Sequence, residues 1–375
     1  MSLEIKKYDW VDALRGYAIL LVMMIHTSQL FIETSFINLI SRNGDLGVTM
    51  FFIVSSFTLF NSYKNRLLID GENTNKFFFI RRFFRIAPIY YIAIVFYILV
   101  GVFYHSKWIP PLDTIKIISN FLFLNGLYLP AINYIPPGGW SVGAEMFFYL
   151  TIPFLFSKIR NTRNAFMFLL SAITISFVIQ IILYFFISNF TTYSWIELRG
   201  WEFYFWFPNQ FPVFCFGILL FYIINSNKIR YKEWMLFVSI ALIMFLNIIN
   251  YQLNFPEFLI QREYLFSISF CMFAFSLSKT KYKILITPLK KLGQVSFSAY
   301  LIHFIVIDIC WKLFKRFLSL ENINADYQFI LMFILVVINT FIISKLTYRF
   351  IEKKGISVGE DLIEKNKISK LELVN

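Results

Sequence analysis

Long, nearly uncharged apolar runs recur through most of this 375-residue chain, and they restrict its fold more than any other feature. A run of about 20 apolar residues crosses hydrocarbon as a helix, because there the backbone must satisfy its own polar groups. Such runs fall near residues 11–32, 46–63, 84–104, 139–157, 165–188, 211–226, 234–250, 263–278, 293–314 and 328–348. Charged residues make up 15% of the chain, against about 25% in ordinary soluble domains. The 48 phenylalanines are more than one aqueous core can bury. The expected fold class is all-α, a polytopic transmembrane helical bundle with about ten transmembrane helices in a lipid bilayer.

Basic residues set the expected orientation. Connections at 64–85, 158–163, 228–232 and 279–291 are rich in Lys and Arg, while those between them hold little beyond Lys107, Arg199 and Arg262. Lys and Arg favour cytoplasmic loops. All but the weak 315–317 cluster fall on one side if the eleventh apolar stretch, 114–130, is re-entrant or interfacial. Ten crossings with both termini cytoplasmic follow, and the net charge of +13 needs no nucleic acid partner. The first run is too long for a cleavable signal and holds Asp12 and Arg15, so it is read as the first transmembrane helix. Residues 1–354 form the expected transmembrane domain and 355–375 a frayed cytoplasmic tail. Cys215, Cys271 and Cys310 lie inside apolar runs, with no disulfide framework or metal spacing.

Four polar patterns interrupt the apolar runs. Arg15 and His26 lie eleven residues apart, on nearly one helical face and about 16 Å apart along the axis. Asp12 is spaced to pair with Arg15, and an ionisable pair inside a membrane helix points to function. Imidazole titrates near neutrality and can take a proton from a hydroxyl, whereas the plainer reading of His26 is a helix–helix hydrogen bond. Arg82 and Arg85 share a face at the start of the third run, as planar guanidiniums recognising phosphate would, or as basic anchors would. Trp140 opens the fourth run at the expected outer interface, with Ser141, Glu145 and Tyr149 in a stripe behind it. Ser296, Tyr300 and His303 form a similar stripe in the tenth run.

These patterns, taken in order, resemble the acyltransferase-3 family of bacterial integral-membrane acyltransferases, whose best-known members O-acetylate surface polysaccharides. The matching segments are DALRGYAILLVMMIH, GDLGVTMFFIVSSFTLF, RRFFRIAPIYY, WSVGAEMFFYLTIP, SFSAYLIHF and YRFIEKK, which together extend over essentially the whole chain. Three positions depart from the family pattern. Ser56 stands where glycine is usual, Gly143–Ala144 replaces a polar or β-branched pair, and Lys354 replaces proline.

The resemblance implies a multi-pass enzyme of the bacterial inner membrane. Acetyl-CoA would be its co-substrate, with no metal, and a carbohydrate hydroxyl its acceptor, in O-antigen, exopolysaccharide, capsule or peptidoglycan. His26 would be the catalytic base or a transient acyl carrier, with Arg15 and Glu145 organising the site. Arg82 and Arg85 would bind the CoA phosphates. Asp12, Trp140, Ser141, Tyr149, Ser296, Tyr300 and His303 would line the substrate site. Loops 105–139, 189–210 and 251–262, and above all the aromatic stretch 193–211, would meet the sugar. A transporter or flippase that moves a glycan or acyl group without covalent chemistry is the alternative, since it too needs intramembrane Arg, His and Glu.

Overall fold

The computed structural model describes residues 8–31, 41, 43–104, 111–190, 202–226, 228–253, 261–317 and 324–372. Its principal helices are α1 (Asp9–Ser28), α2 (Leu46–Asp70), α3 (Thr74–Tyr104), α4 (Thr114–Phe121), α5 (Trp140–Lys158), α6 (Thr162–Phe190) and α7 (Phe207–Ser226). They continue with α8 (Trp234–Leu253), α9 (Arg262–Lys279), α10 (Thr287–Gln294), α11 (Ser296–Phe317), α12 (Ala325–Thr347) and α13 (Lys353–Glu372). No strand occurs among the described residues. Each of the ten apolar runs falls on one of these helices.

Six stretches among the described residues are long and apolar enough to cross a membrane, and one of them, Leu46–Val102, holds two helices joined at Gly71–Asn73. Helices α5, α8 and α9 fall outside that set, α8 because only its shorter apolar stretch Trp234–Ile249 qualifies, and α5 and α9 because of their composition. Helix α5 carries Ser141 and Glu145, and α9 carries Arg262 and Glu263, which lower their apolarity.

Exposure is inverted relative to a water-soluble protein. Ile175, Val178 and Ile182 on α6, and Ile330, Ile334, Ile338 and Ile342 on α12, point outward, while Ser56, Ser267, Ser298 and Thr340 are fully buried. Lipid replaces water as the medium around the bundle, so apolar side chains outside cost nothing and polar ones turn inward. Small residues then let helix backbones approach. A Cβ at Gly293 of α10 would lie 1.6 Å from the Asp12 carbonyl oxygen of α1, and one at Gly217 of α7 would lie 1.9 Å from Ser56 Oγ. Ser56 donates to the Phe52 and Ile53 carbonyls at 2.9 and 3.1 Å. The room a glycine usually leaves at that crossing is therefore supplied by Gly217 on the facing helix.

Segment 114–139 has no membrane-length helix. Helix α4 is two turns long and is followed by short 3₁₀ turns at Leu124–Gly126 and Leu129–Ala131. Irregular backbone at membrane depth survives only where protein supplies its hydrogen bonds. Buried Asn120 and Asn125 do so: Asn125 donates to the Gly139 carbonyl at 2.8 Å and to Tyr90 at 3.2 Å, while Asn120 donates to the Lys116 carbonyl at 2.8 Å. Gly126 and Gly143 meet backbone to backbone, so Gly143 of the departing pair is the residue that lets this loop close on α5.

Three expectations change. The tail is not frayed, because residues 353–372 form α13, which packs along α3 with Gly355 and Gly359 against Phe84. Lys354 retains the N–H that a proline would lose, so the helical run continues from α12 through 348–352 into α13. Pro88, which the sequence predicts to kink or start the third span, does not start it, since α3 begins at Thr74 and runs through it. Trp140 is not at an exposed interface. It is buried, with Phe205 4.5 Å away and Phe52 edge-on at 5.8 Å.

Candidate active site

Helices α1, α2, α3, α5 and α11 surround a cavity of about 730 Å³, its open mouth included. Arg15, Ser55, Thr58, Arg82, Arg85, Ser141, Glu145, Tyr149, Ser296 and Tyr300 supply its polar lining. Helical periodicity presents them: Phe51, Ser55 and Thr58 form a stripe on α2, as do Ser141, Glu145 and Tyr149 on α5. Arg82 and Arg85 lie one turn apart on α3 and so point into the same space.

Glu145 is held from two sides. Ser55 donates to it across the α2–α5 contact, and Tyr149 donates to the same oxygen at 2.7 Å. Arg15 donates to Thr58 Oγ1 at 3.3 Å and pairs with Asp12 at 3.5 Å. The Arg82 guanidinium packs 5.7 Å from the Phe78 ring and 5.9 Å from that of Tyr149. Its Nε is buried and has no hydrogen-bond partner among the described residues. Glu352 is buried and anchored by Ser298, which donates to it at 3.0 Å. The lining thus sets three guanidiniums against one carboxylate, an excess of positive charge inside an apolar bundle. Such a site favours a polyanion, which guanidinium forks bind with paired hydrogen bonds.

Tyr300 closes one side of the cavity. Its hydroxyl accepts from Ser141 at 2.9 Å and donates to the Gly138 carbonyl at 3.0 Å. Gly138 has φ +78°, a backbone state suited to glycine, and a Cβ there would lie 2.9 Å from the Tyr300 hydroxyl. Beyond Tyr300 are two imidazoles. The His303 ring centroid is 5.7 Å from that of Tyr300, and the His26 centroid is 5.4 Å from His303. Phe304 packs against both, at 4.2 and 4.4 Å.

Eight of the twelve sequence-derived site residues line the cavity: Arg15, Arg82, Arg85, Ser141, Glu145, Tyr149, Ser296 and Tyr300. The other four lie elsewhere. His26 is in the last turn of α1 and belongs with His303 behind Tyr300. Glu145 bonds to Ser55 and Tyr149 rather than to His26. Asp12 sits at the other end of α1, where Gln294 also donates to it at 3.4 Å, and Trp140 is locked in its aromatic cluster. Much of the aromatic stretch expected to meet the sugar, residues 193–201, lies outside the described residues, as do 105–110 and 254–260.

Sequence reading missed Ser55, Thr58, Ser298 and Glu352. The spacing of Phe51, Ser55 and Thr58 was the available signal on α2. Glu352 offered a lone carboxylate in the YRFIEKK segment.

Residues 8–349 match the acyltransferase-3 family, whose description is an acyltransferase domain. The chain belongs to the acyltransferase-3 family. It is 27% identical over 164 residues to the peptidoglycan O-acetyltransferase OatA of Listeria monocytogenes, a match covering 41% of this chain and 25% of that protein. The chain therefore spans about a quarter of the length of this curated relative. No solved structure matches. Family membership and the apolar helices together make this a multi-pass membrane acyltransferase, and the cavity and the histidine pair are the places where its chemistry can reside.

Proposed function

We propose that the protein transfers an acetyl group from acetyl-CoA to a hydroxyl of a cell-envelope carbohydrate, across the bacterial inner membrane. The observation that carries this reading is the cavity with three guanidiniums and one carboxylate in a family of acyltransferases. CoA is rich in phosphate and cannot enter hydrocarbon, so its anchors belong at a polar rim. Arg82 and Arg85 lie at the end of the basic 64–85 connection, where α3 enters its apolar run, and the positive-inside rule assigns that connection to the cytoplasm. The slender pantetheine arm then extends inward toward Tyr300. The carbohydrate acceptor is supported by the peptidoglycan-modifying relative, whose name states that substrate.

His26 acts as general base in this scheme. Its Nδ1 lies 3.3 Å from Gln29 Oε1; the tautomer that donates from Nδ1 to that oxygen is the one whose Nε2 can serve as base. Nε2 takes the proton of the acceptor hydroxyl as the oxygen bonds to the thioester carbonyl carbon. The tetrahedral species collapses with cleavage of the C–S bond, and the departing thiolate receives the proton from His26. The products are the sugar ester and free CoA.

Proteoliposomes loaded with acetyl-CoA and envelope glycan test the scheme. Arg82→Gln and Arg85→Gln are expected to raise the KM for acetyl-CoA about tenfold each, the size of a charge-assisted phosphate contact. His26→Gln is expected to lower turnover by about 10²–10⁴ while CoA binding persists. Movement of glycan without release of free CoA would replace the enzyme with a transporter.

A further inference from the structure

Ser141 and Tyr300 meet on the wall of the cavity, where their hydroxyls share one backbone acceptor. Ser141 Oγ is 2.9 Å from the Tyr300 hydroxyl and 3.1 Å from the Gly138 carbonyl oxygen, and the Tyr300 hydroxyl is 3.0 Å from that same carbonyl. The backbone N–H of Ser141 donates to it as well, at 3.3 Å. A carbonyl oxygen accepts at two lone pairs. Three hydrogens therefore compete for two places. The N–H is fixed by the backbone, and the Tyr300 hydroxyl by its buried ring. The Ser141 hydroxyl turns about a single bond and is the donor free to leave.

Turning that hydroxyl into the cavity costs the protein little, because the Ser141 N–H and the Tyr300 O–H still fill both lone pairs of Gly138. The ligand it would meet must bring an acceptor. Phosphates suit the guanidiniums, which carry charge, whereas a thioester carbonyl is neutral until an alcohol oxygen attacks it. An uncharged hydroxyl matches such a group, bonding modestly to the carbonyl and more strongly to the oxyanion that develops. Ser141 also lies in the first turn of α5, which begins at Trp140, and the positive end of the helix dipole favours an oxygen gaining negative charge. The Tyr300 ring centroid is 5.7 Å from that of His303, so this wall of the cavity adjoins the histidine pair.

We propose that Ser141 is a catalytic residue of the acyl transfer, the hydrogen-bond donor to the thioester carbonyl oxygen, and that Tyr300 positions it by occupying the Gly138 carbonyl. As the acceptor oxygen bonds to the carbonyl carbon, the π pair of the C=O bond moves onto the oxygen that Ser141 holds. His26 takes the hydroxyl proton in the same step. Collapse restores the C=O bond, breaks the C–S bond and passes the proton to the departing thiolate. Ser141 keeps its own hydrogen throughout. The inference rests on the acyl-transfer reading and adds to it the group that stabilises the charge on oxygen.

The test uses the full chain in proteoliposomes, radiolabelled acetyl-CoA and polysaccharide extracted from the source cell's envelope. Ser141→Ala is expected to lower kcat about 10²–10³-fold, the cost of one oxyanion donor, while the KM for acetyl-CoA and the retention of CoA stay within about twofold of wild type. Tyr300→Phe is expected to lower kcat about fivefold to tenfold, since the vacated lone pair of Gly138 draws the Ser141 hydroxyl back. The double variant is then no slower than Ser141→Ala, because Tyr300 acts only through that hydroxyl. A Ser141→Ala protein with wild-type kcat overturns the proposal. So does a loss of CoA retention in that variant, which marks a structural role, or a double variant much slower than Ser141→Ala, which gives Tyr300 a contact of its own. A wild-type protein that incorporates no label overturns the acyl-transfer reading and this inference with it.

Discussion

At the scale of single residues, Glu145 has the most exposed role in the charge balance of the cavity. Ser55 and Tyr149 hold its carboxylate facing three guanidiniums. It therefore competes with the phosphates proposed to bind there. Glu145→Gln keeps the shape and both hydrogen bonds but removes the counter-charge. At an effective dielectric typical of partly wet protein this is worth about 1 kcal/mol, or roughly fivefold tighter CoA retention. Isothermal titration with CoA checks it, and weaker binding would show that Glu145 supports the anion site instead of opposing it. The same carboxylate shows what sequence can reveal about residues. A lone Glu or Arg in an apolar run stands out because burying it is costly, whereas Ser55 and Thr58 do not. Serine and threonine in a membrane helix usually bond back to their own backbone, as Thr58 does to the Ser55 carbonyl at 2.9 Å. Only the neighbouring helices disclose that these two also face a cavity.

At the scale of elements, the bundle is set by where helix backbones touch. Among the described glycines, Gly293 at the α1–α10 crossing leaves the least room for a side chain, and it lies beside Asp12 and within a turn of Arg15. Gly293→Val has no room for its side chain without separating the two helices. A loss of about 1–3 kcal/mol is expected, the ordinary cost of overpacking, together with displacement of Arg15 from Thr58. A fall in the detergent-extracted protein's melting temperature checks this, and unchanged melting would mean that the helices are not in contact there. Apolar runs located the helices, since hydropathy is a property of the run itself. Their ends were less legible. Helix α3 continues well upstream of its apolar core because LysPhePhePhe and the arginines around it are compatible with helix outside the hydrocarbon. Helix α13 was hidden altogether, since its residues are polar and mixed in charge and only packing against α3 gives them reason to order.

At the scale of the whole molecule, an ion cluster ties the last helix to the turn between α2 and α3. Asp70 accepts from Arg81 and, at 3.0 Å, from Lys367, while Arg66 reaches Glu360 at 3.7 Å and Lys76 donates to Asn366 at 2.5 Å. Burial alone would push the Asp70 carboxyl up, but hydrogen bonds from Lys367 and Arg81 more than offset it and hold it below the ordinary carboxylate range. A carboxyl held low in the folded state stabilises it at pH values above its unfolded pKa. That contribution disappears as pH falls below about 4 and the group takes a proton. Asp70→Asn is expected to cost about 1–3 kcal/mol at neutral pH, moderated by the half-exposed Lys367, and to flatten the loss of stability on acidification. Thermal melts at pH 3 and pH 7 check both effects. An equally steep acid loss in the variant would assign it to other carboxylates.

The sequence by itself determined that this is a helical membrane protein, because apolar runs of membrane length admit no other solution in lipid. It also marked Arg15, His26, Arg82, Arg85 and Glu145, because charge inside such runs is costly enough to be conspicuous. Tertiary structure alone decided their grouping. The arginines and Glu145 share one cavity, while His26 pairs with His303 beyond Tyr300. Spacing along one helix fixes a face and a depth on that helix only. Which faces of five helices meet depends on contacts between distant residues such as Gly293 with Asp12 and Gly217 with Ser56, and a single chain does not write those pairings locally.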